Sequence, residues 1–464
     1  MRLGVELDGK RLLVVGLART GMVVSLFCAA YGARVTATDE RPESALQDAA
    51  EKLRAAGVSL ELGAHRPETF VNQDLIIVSP GVPAKMPLLE LARNRGIPVW
   101  SEIELAWRLM RGKLVAITGS NGKTTTTALV GHILQSAKIS VLIGGNIGTP
   151  LLAKVEASSD STVTVAEVSS FQLETIEAFR PDVGVLLNLT PDHIDRHGSF
   201  EAYARAKQRL FENMLDRDAA VLNADDPEVA RRGPAHAQTF WFSRQKRLAA
   251  GAFVRGDEIL FRHEGTESVL MRRRDIPLRG EHNLENVLAA SAAAILAGAP
   301  ADAIAAAVRT FPGVEHRLEY VAEIRGVAFY NDSKATNVDA TLKAIDAFPG
   351  SLFVILGGTD KGSPYTPLRE PLRAKAKLAL VIGAAADKIR NELDGAVAIE
   401  RAGTLDRAVT IAFERAKPGD TVLLAPACSS FDQFDNFEHR GCAFKEIIAR
   451  LAAEIPADHA ARKG

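Results

Sequence analysis

The chain predicts three α/β domains, and three observations carry that prediction. At 464 residues it is too long for one ordinary core, and a typical domain size divides it into about three. Hydrophobic residues make up 47% but aromatics only 6%, a balance that favours helices packed on sheets over an aromatic-rich sandwich. Short β-rich apolar runs also alternate with helical stretches from end to end, as in parallel sheets covered by helices.

In the first region the runs at 11–15, 34–38, 75–79 and 98–100 read as strands. The second region adds 113–118, 140–143, 162–168, 182–188 and 219–222. A less regular stretch, 239–271, holds a hairpin at 253–261 with Gly256-Asp257 at its turn. A helix follows from about Asn283, with Leu284, Val287, Leu288 and Ile295 on one face. The third region has strands at 327–330, 352–356, 378–382 and 421–424. One boundary falls near Ser101, before a helix beginning at Glu102, and the other near Phe311-Pro312-Gly313, where Pro and Gly end a helix. The expected domains are therefore 1–101, 102–312 and 313–464.

Lys and Arg total 56 against 57 Asp and Glu, so nothing argues for nucleic acid, and an anionic substrate must be met by local positive sites. The cysteines, Cys28, Cys428 and Cys442, have neither disulfide nor zinc spacing. No run of about 18 apolar residues could span a bilayer, and the N-terminal stretch lacks a leader pattern. The expectation is a cytoplasmic monomer without membrane insertion.

The clearest chemical signal is Val115-Ala-Ile-Thr-Gly119-Ser120-Asn121-Gly122-Lys123-Thr124-Thr125. A β-rich run ends in a Gly-bearing turn, and a helix then opens with Leu129, Val130, Ile133 and Leu134 on its apolar stripe. That arrangement aims backbone N–H groups and a helix N-terminus at an anion. Lys123 suits terminal phosphate oxygens, and the Thr124 hydroxyl suits Mg²⁺. The general pattern has Gly where Ile117 stands, so this is a variant.

The variant T-G-x-N-G-K-[ST] resembles the ATP loop of the Mur ligase family and its relatives, the folylpolyglutamate synthetases. The likeness continues in Gly144-Gly-Asn146-Ile-Gly148, Glu167-Val-Ser-Ser-Phe-Gln-Leu, Asn188-Leu-Thr-Pro-Asp-His193 and Tyr203-Ala-Arg-Ala-Lys207. It goes on through Asn223-Ala-Asp-Asp-Pro227, His282-Asn283-Leu-Glu-Asn286 and His316-Arg317. The resemblance implies a central P-loop ATPase-like domain with a parallel sheet, between N-terminal and C-terminal Rossmann-like domains. It also implies ATP and Mg²⁺, with Thr124 and Glu167 at one metal and His193 with a carbamylated Lys207 at a second. Alone, Glu167 would read as a surface carboxylate and Lys207 as a surface lysine.

The remaining ATP-binding positions implied by the resemblance are Gly119, Ser120, Asn121, Gly122, Lys123, Thr125, Asn283, Asn286, Arg317 and Asp332. In the first region, Gly16-Leu-Ala18-Arg19-Thr20-Gly21 follows a strand and Asp39 ends the next, a weak dinucleotide fingerprint with Ala in the middle Gly position. An NAD-dependent dehydrogenase is the reading of another class, and it leaves the phosphate loop unexplained. The family resemblance instead implies a uridine diphosphate sugar around Arg19, Thr20, Asp39, Glu40, Arg41, Ser79 and Gly81, with Asn146.

Three polar loops follow strands in the third region: Asn331-Asp332-Ser333-Lys334-Ala335-Thr336-Asn337, Gly357-Gly-Thr-Asp-Lys361-Gly362, and Pro426-Ala-Cys428-Ser429-Ser430-Phe431-Asp-Gln-Phe434. An acidic amino acid needs cations and well-aimed donors. Thr336, Lys361, Ser430, Phe431 and the Phe437 backbone are the groups that the likeness offers, with Lys334 as a catalytic charge. The Asn-Asp-Ser-Lys-Ala-Thr-Asn string resembles the D-glutamate-adding branch. What the resemblance implies is ATP-dependent joining of D-glutamate to UDP-N-acetylmuramoyl-L-alanine through an acyl phosphate. A related ligase with another amino-acid specificity is the alternative.

Overall fold

The computed structural model describes residues 4–453, apart from Ile147 and the side chain of Asp195. The chain divides into two compact units. One runs up to Pro277 and takes back Glu285–Phe311; the other holds Leu278–Leu284 and the chain from Pro312 onward.

The first unit contains two sheets. The N-terminal sheet is built from β1 (Arg11–Val15), β2 (Arg34–Asp39), β3 (Ser59–Leu62), β4 (Leu75–Val78) and β5 (Val99–Ser101), in the order β3-β2-β1-β4-β5 and parallel throughout. Leu12, Leu13, Val14 and Val15 are all buried, the continuous apolar run expected of a strand covered on both faces. The strand order reverses beside β1, which opens a crevice at its carboxyl end.

The second sheet is larger. It contains β6 (Lys113–Thr118), β7 (Val141–Gly145), β8 (Val163–Glu167), β9 (Val183–Leu186), β10 (Ala219–Asn223), β11 (Gln238–Ser243), β12 (Gly251–Arg255), β13 (Glu258–His263) and β14 (Thr266–Arg272). Their order is β14-β13-β12-β11-β10-β9-β6-β8-β7. All neighbours are parallel except β12–β13 and β13–β14, where the expected hairpin turns at Gly256-Asp257. β6 lies between β8 and β9, so the loops after all three converge at one sheet edge.

The helix Glu102–Leu109 follows β5 directly and is fastened to the segment before β9 by a buried carboxylate. Glu104 accepts N–H bonds from Glu177 at 2.9 Å, Ala178 at 3.1 Å and Phe179 at 2.8 Å, and Arg108 Nε donates to it at 2.6 Å. Nearby, Glu102 Oε1 accepts from the Leu152 N–H at 2.6 Å, and burial pushes that carboxyl up to about 7.

The second unit holds β15 (Glu319–Ile324), β16 (Val327–Asn331), β17 (Leu352–Gly357), β18 (Ala376–Ile382), β19 (Ile399–Gly403) and β20 (Thr421–Leu424). The order is β15-β16-β20-β17-β18-β19, with only β15 antiparallel. The α/β class with parallel-dominated sheets is therefore as the sequence indicates. Of the strands it does not indicate, β3, β14, β15 and β19 stand at sheet edges and are partly exposed, so no continuous apolar run marks them; β11 is interior but lies in the stretch read only as irregular.

Glu104→Ala removes a buried acceptor from three N–H groups and from Arg108 Nε, leaving Arg108 with its longer ion pair to Glu177 at 3.7 Å. It should cost roughly 3–5 kcal/mol in urea unfolding of the full chain. A loss below about 1 kcal/mol would show that this junction contributes little.

Candidate active site

The phosphate loop leaves β6 and enters the helix Lys123–Ser136. Gly119 (φ 152°) and Gly122 (φ 85°) adopt backbone angles that a side chain resists. A Cβ on Gly122 would also lie 2.3 Å from Asn286 Oδ1. Asn188, in the loop after β9, grips the turn at two points: Asn121 N–H donates to its Oδ1 at 2.8 Å, and its Nδ2 donates to Asn121 O at 3.1 Å. Ser120 Oγ donates to Thr190 O and accepts from Thr190 N–H, both at 2.9 Å. Two loops are thus locked together. Lys123 Nζ donates to Gly119 O at 2.9 Å and Ser120 O at 2.8 Å, which holds its charge at the turn.

Glu167 ends β8 and is buried. Thr124 Oγ1 donates to its Oε2 at 2.8 Å, and Asn146 Nδ2 to its Oε1 at 2.8 Å. Asn146, grouped by sequence with the sugar nucleotide, therefore stands at the phosphate-loop end of the unit. Thr125 is buried in the next helical position.

His193 takes a left-handed backbone angle, φ 51°, and is half-exposed. Its Nε2 lies 3.6 Å from Asp192 Oδ2, and its ring meets Phe171 edge-on at 4.9 Å. Lys207 is 2% exposed on the helix Phe200–Gln208. Its Nζ donates to Thr118 Oγ1 at 3.4 Å and lies 4.8 Å from the Tyr203 ring centre. Burial, then the nearby Lys123 charge, holds its pKa well below the ordinary lysine value, against the opposing pull of Asp192 and Glu167.

In the N-terminal sheet, Gly16, Ala18, Asp39, Glu40, Arg41, Ser79 and Gly81 line a cavity of about 230 Å³. Arg19 and Thr20 open the adjacent helix Arg19–Ala30. Asp39 organises the cavity wall: Leu17 N–H donates to it at 2.7 Å, and Arg41 through Nε at 2.9 Å and Nη2 at 2.8 Å. The Arg41 guanidinium holds this carboxyl down at about 2. Gly21 must be glycine, because a Cβ there would fall 1.9 Å from Gly16 O.

A second cavity, about 990 Å³, lies between residues 83–99 and the helix bearing Lys207, lined by Lys85, Glu174, Arg196, Arg205 and Arg209 among others. None of the site residues indicated by sequence lines it.

In the second unit, Lys361 Nζ donates to Thr336 Oγ1 at 3.5 Å, which brings two of the three polar loops together. Ser430 is buried and Phe431 exposed on the third. Lys334 Nζ sits 3.8 Å from the Phe437 ring centre, and Ser333 Oγ donates to Phe437 O at 2.8 Å. Asp332 is buried and pushed up to about 7 by desolvation, which the Arg317 charge opposes. Asn283, in this unit, donates to Arg279 O at 2.6 Å, whereas Asn286 Oδ1, in the first unit, accepts from Thr126 Oγ1 at 3.3 Å.

Glu315, His316 and Cys442 also bring three metal-ligand atoms within 4.8 Å of one another. Lys445 is already paired with Glu315, and Asn331 Nδ2 donates to His316 Nδ1 at 2.9 Å, so the proton sits on His316 Nε2. The cluster is an ion-paired knot.

Asn188 and Tyr203, which brace the loop, were not singled out by sequence as site residues. The signal was available, since each opens a motif that carries a site residue, His193 or Lys207.

This combination of a phosphate loop, a Thr–Glu oxygen pair and polar loops on separate α/β sheets defines a nucleotide-dependent ligase of the Mur type. Residues 10–101 match the description "Mur ligase MurD-like, N-terminal domain", residues 117–294 "Mur ligase middle domain", and residues 316–428 "Mur ligase, glutamate ligase domain". The chain belongs to the Mur ligase family. Among its relatives, the UDP-N-acetylmuramoylalanine–D-glutamate ligase of Acidobacterium capsulatum is 54% identical over 96% of this chain and 97% of its own. The protein of the same name from Solibacter usitatus is 52% identical over 96% and 99%. Among solved structures, a pseudomurein peptide ligase type C from Methanothermus fervidus superposes with a TM-score of 0.59 at 21% identity, over 96% of this chain and 100% of its own. A MurF ligase from Thermotoga maritima in complex with ADP gives 0.58 at 18%, over 96% of each chain. These two share the fold.

The depressed Lys207 pKa has a direct consequence for stability. Between its native pKa and the unfolded value of ~10.4, the unfolded chain binds the extra proton, so this residue's contribution falls as pH falls. In carbonate-free buffer, Lys207→Met should raise the melting temperature by several degrees, more at pH 6.5 than at pH 9. Equal melting temperatures at both pH values would contradict the buried-amine assignment.

Proposed function

We propose that this enzyme joins D-glutamate to UDP-N-acetylmuramoyl-L-alanine with ATP, through an acyl phosphate, and releases ADP and phosphate. The observation that carries the reading is the phosphate loop, braced by Asn188 and closed by Glu167, in a chain 54% identical to a relative of that specificity. The working domains are 1–101 for the sugar nucleotide, 102–312 for ATP and 313–464 for the amino acid.

Asp39, Arg41, Ser79 and Gly81 hold the uridine diphosphate end, and Asn146 faces the sugar's reacting arm. Gly119 to Thr125 wrap the triphosphate, with Asn283, Asn286, Arg317 and Asp332 at the nucleoside. The L-alanyl carboxylate attacks the γ-phosphorus, and Lys123 holds the charge of the transferring group. The oxygens of Thr124, of Glu167 and of a carbamate on Lys207 fit a hard divalent cation, and His193 would add a nitrogen ligand beside the carbamate. Magnesium bound there would neutralise polyphosphate charge. Thr336, Lys361, Ser430 and the Phe437 N–H hold the two carboxylates of D-glutamate, and its amine attacks the acyl carbon. Lys334 stabilises the tetrahedral oxyanion, and phosphate leaves.

The structural basis for the carbamate is the burial of Lys207. A buried, neutral amine is the form that reacts with CO₂, and the product carries two hard oxygens.

Phosphate release should require ATP, the sugar nucleotide and D-glutamate together; equal incorporation of L-glutamate, or NADH turnover, would contradict the reading. Lys123→Ala should lower turnover by about 10²–10³-fold while calorimetry shows unchanged sugar-nucleotide affinity. An equal loss of that affinity would indicate a folding defect. Lys207→Ala should lose most activity and regain part of it with added short carboxylates, whereas Lys207→Arg should stay inactive. Full activity in Lys207→Arg would end the carbamate assignment.

A further inference from the structure

Arg440 lies in the first turn of the helix Phe437–Ala453 and is only 1% exposed, the largest fully buried side chain among the described residues. A guanidinium taken out of water ordinarily meets a carboxylate. Every hydrogen-bond acceptor of Arg440 among the described residues is neutral. Nε donates to Ser333 Oγ at 2.9 Å, and Nη2 donates to Ser333 O at 2.8 Å and Cys428 O at 3.2 Å. Nη1 donates to Cys428 O at 3.2 Å and Ser429 O at 3.4 Å. Burial lowers its pKa to about 10, against the pull of Cys428 and of the Asp432 carboxylate nearby, so the group is still a cation at neutral pH.

Those acceptors belong to the loops after β16 and β20. The loop after β17 is reached by contact, since a Cβ on Gly358 would lie 3.2 Å from Nη1. Thr359 N–H also donates to Ser429 O at 2.9 Å, and Ser429 Oγ donates to Thr359 O at 3.2 Å. Ser333 Oγ, which accepts from Nε, itself donates to Phe437 O at 2.8 Å. One cation therefore ties together the three loops that carry Thr336, Lys361 and Ser430, and the helix start at Phe437.

We propose that Arg440 is a positioning and specificity-determining residue for the amino acid. Its five bonds set the spacing of the carboxylate-binding loops, and its buried charge, hydrogen-bonded to no carboxylate among the described residues, favours a substrate with a carboxylate on its side chain. This rests on the ligase reading above. A tie made only of hydrogen bonds would serve any amino acid that fits. A buried charge adds a preference between substrates that differ in charge alone, because opposite charges attract more strongly away from water.

D-Glutamate and D-glutamine provide that pair. KM for D-glutamate, the inhibition constant of D-glutamine as a competitor, kcat and KM for ATP should be measured in the full chain and in Arg440→Met, Arg440→Lys and Ser333→Ala. Arg440→Met should raise KM for D-glutamate about tenfold or more, with KM for ATP within about twofold and D-glutamine affinity little changed. Arg440→Lys keeps the charge without the fork and should retain most of the Glu-over-Gln preference. Ser333→Ala should weaken both ligands alike, by about two- to fivefold. Equal losses for both ligands in Arg440→Met, or loss of preference in Arg440→Lys, would overturn the role; the lysine variant alone decides it if the methionine variant does not fold. Wild-type enzyme that ignores D-glutamate would instead overturn the ligase reading, a separate result from the same assay.

Discussion

A lysine ammonium enclosed away from water is costly, and much of the central site is organised around the one at position 207. Its helix packs Lys207 and Tyr203 toward β6, where Thr118, Ser120 and the phosphate loop begin. Lys123 adds a second positive charge nearby, and Glu167 and Asp192 supply the opposing ones. Protonated, Lys207 would repel both Lys123 and a metal; neutral, it is an amine ready for carboxylation. The burial that depresses its pKa lowers stability at that point and favours the neutral amine that the proposed carbamate requires.

The rest follows from the direction of parallel strands. In each sheet the loops at the carboxyl ends gather beside a reversal of strand order, so groups distant in sequence become neighbours. β6, β8 and β9 deliver the phosphate loop, Glu167 and Asn188 to one edge. β1, β2 and β4 deliver the Gly16 turn, Asp39 and Ser79. In the second unit, β16, β17 and β20 deliver three polar loops, and a buried guanidinium keeps them in register. Each centre uses one charged side chain as its fastener: Asp39, Glu167 and Arg440. None is on the strand that it braces against.

How much of this was legible in the sequence depends on the kind of signal. Most buried strands announced themselves, because residues such as Val14 or Ile355 sit in apolar runs covered on both faces, whereas β11, with its mixed composition, did not. The edge strands β3, β15 and β19 did not, since one side faces water and their composition is mixed. The phosphate loop was legible because a glycine-bearing turn, a lysine and a threonine have fixed spacing. Glu104 and Arg440 were illegible for the opposite reason. Each reads as an ordinary surface residue on an amphipathic helix, and only tertiary packing shows that its partners include backbone groups far away in sequence, Phe179 N–H for Glu104 and Ser333 O for Arg440. Asn146 was legible as a polar loop residue but not as the partner of Glu167.

The central claim is that the phosphate loop activates the substrate carboxylate as an acyl phosphate. The direct measurement uses UDP-N-acetylmuramoyl-L-alanine with both alanyl carboxylate oxygens labelled with ¹⁸O, followed by mass spectrometry of the phosphate released. Attack of that carboxylate on the γ-phosphorus carries one labelled oxygen into each phosphate and leaves the other in the amide. Phosphate free of label would contradict the account, as would label recovered in a nucleotide monophosphate.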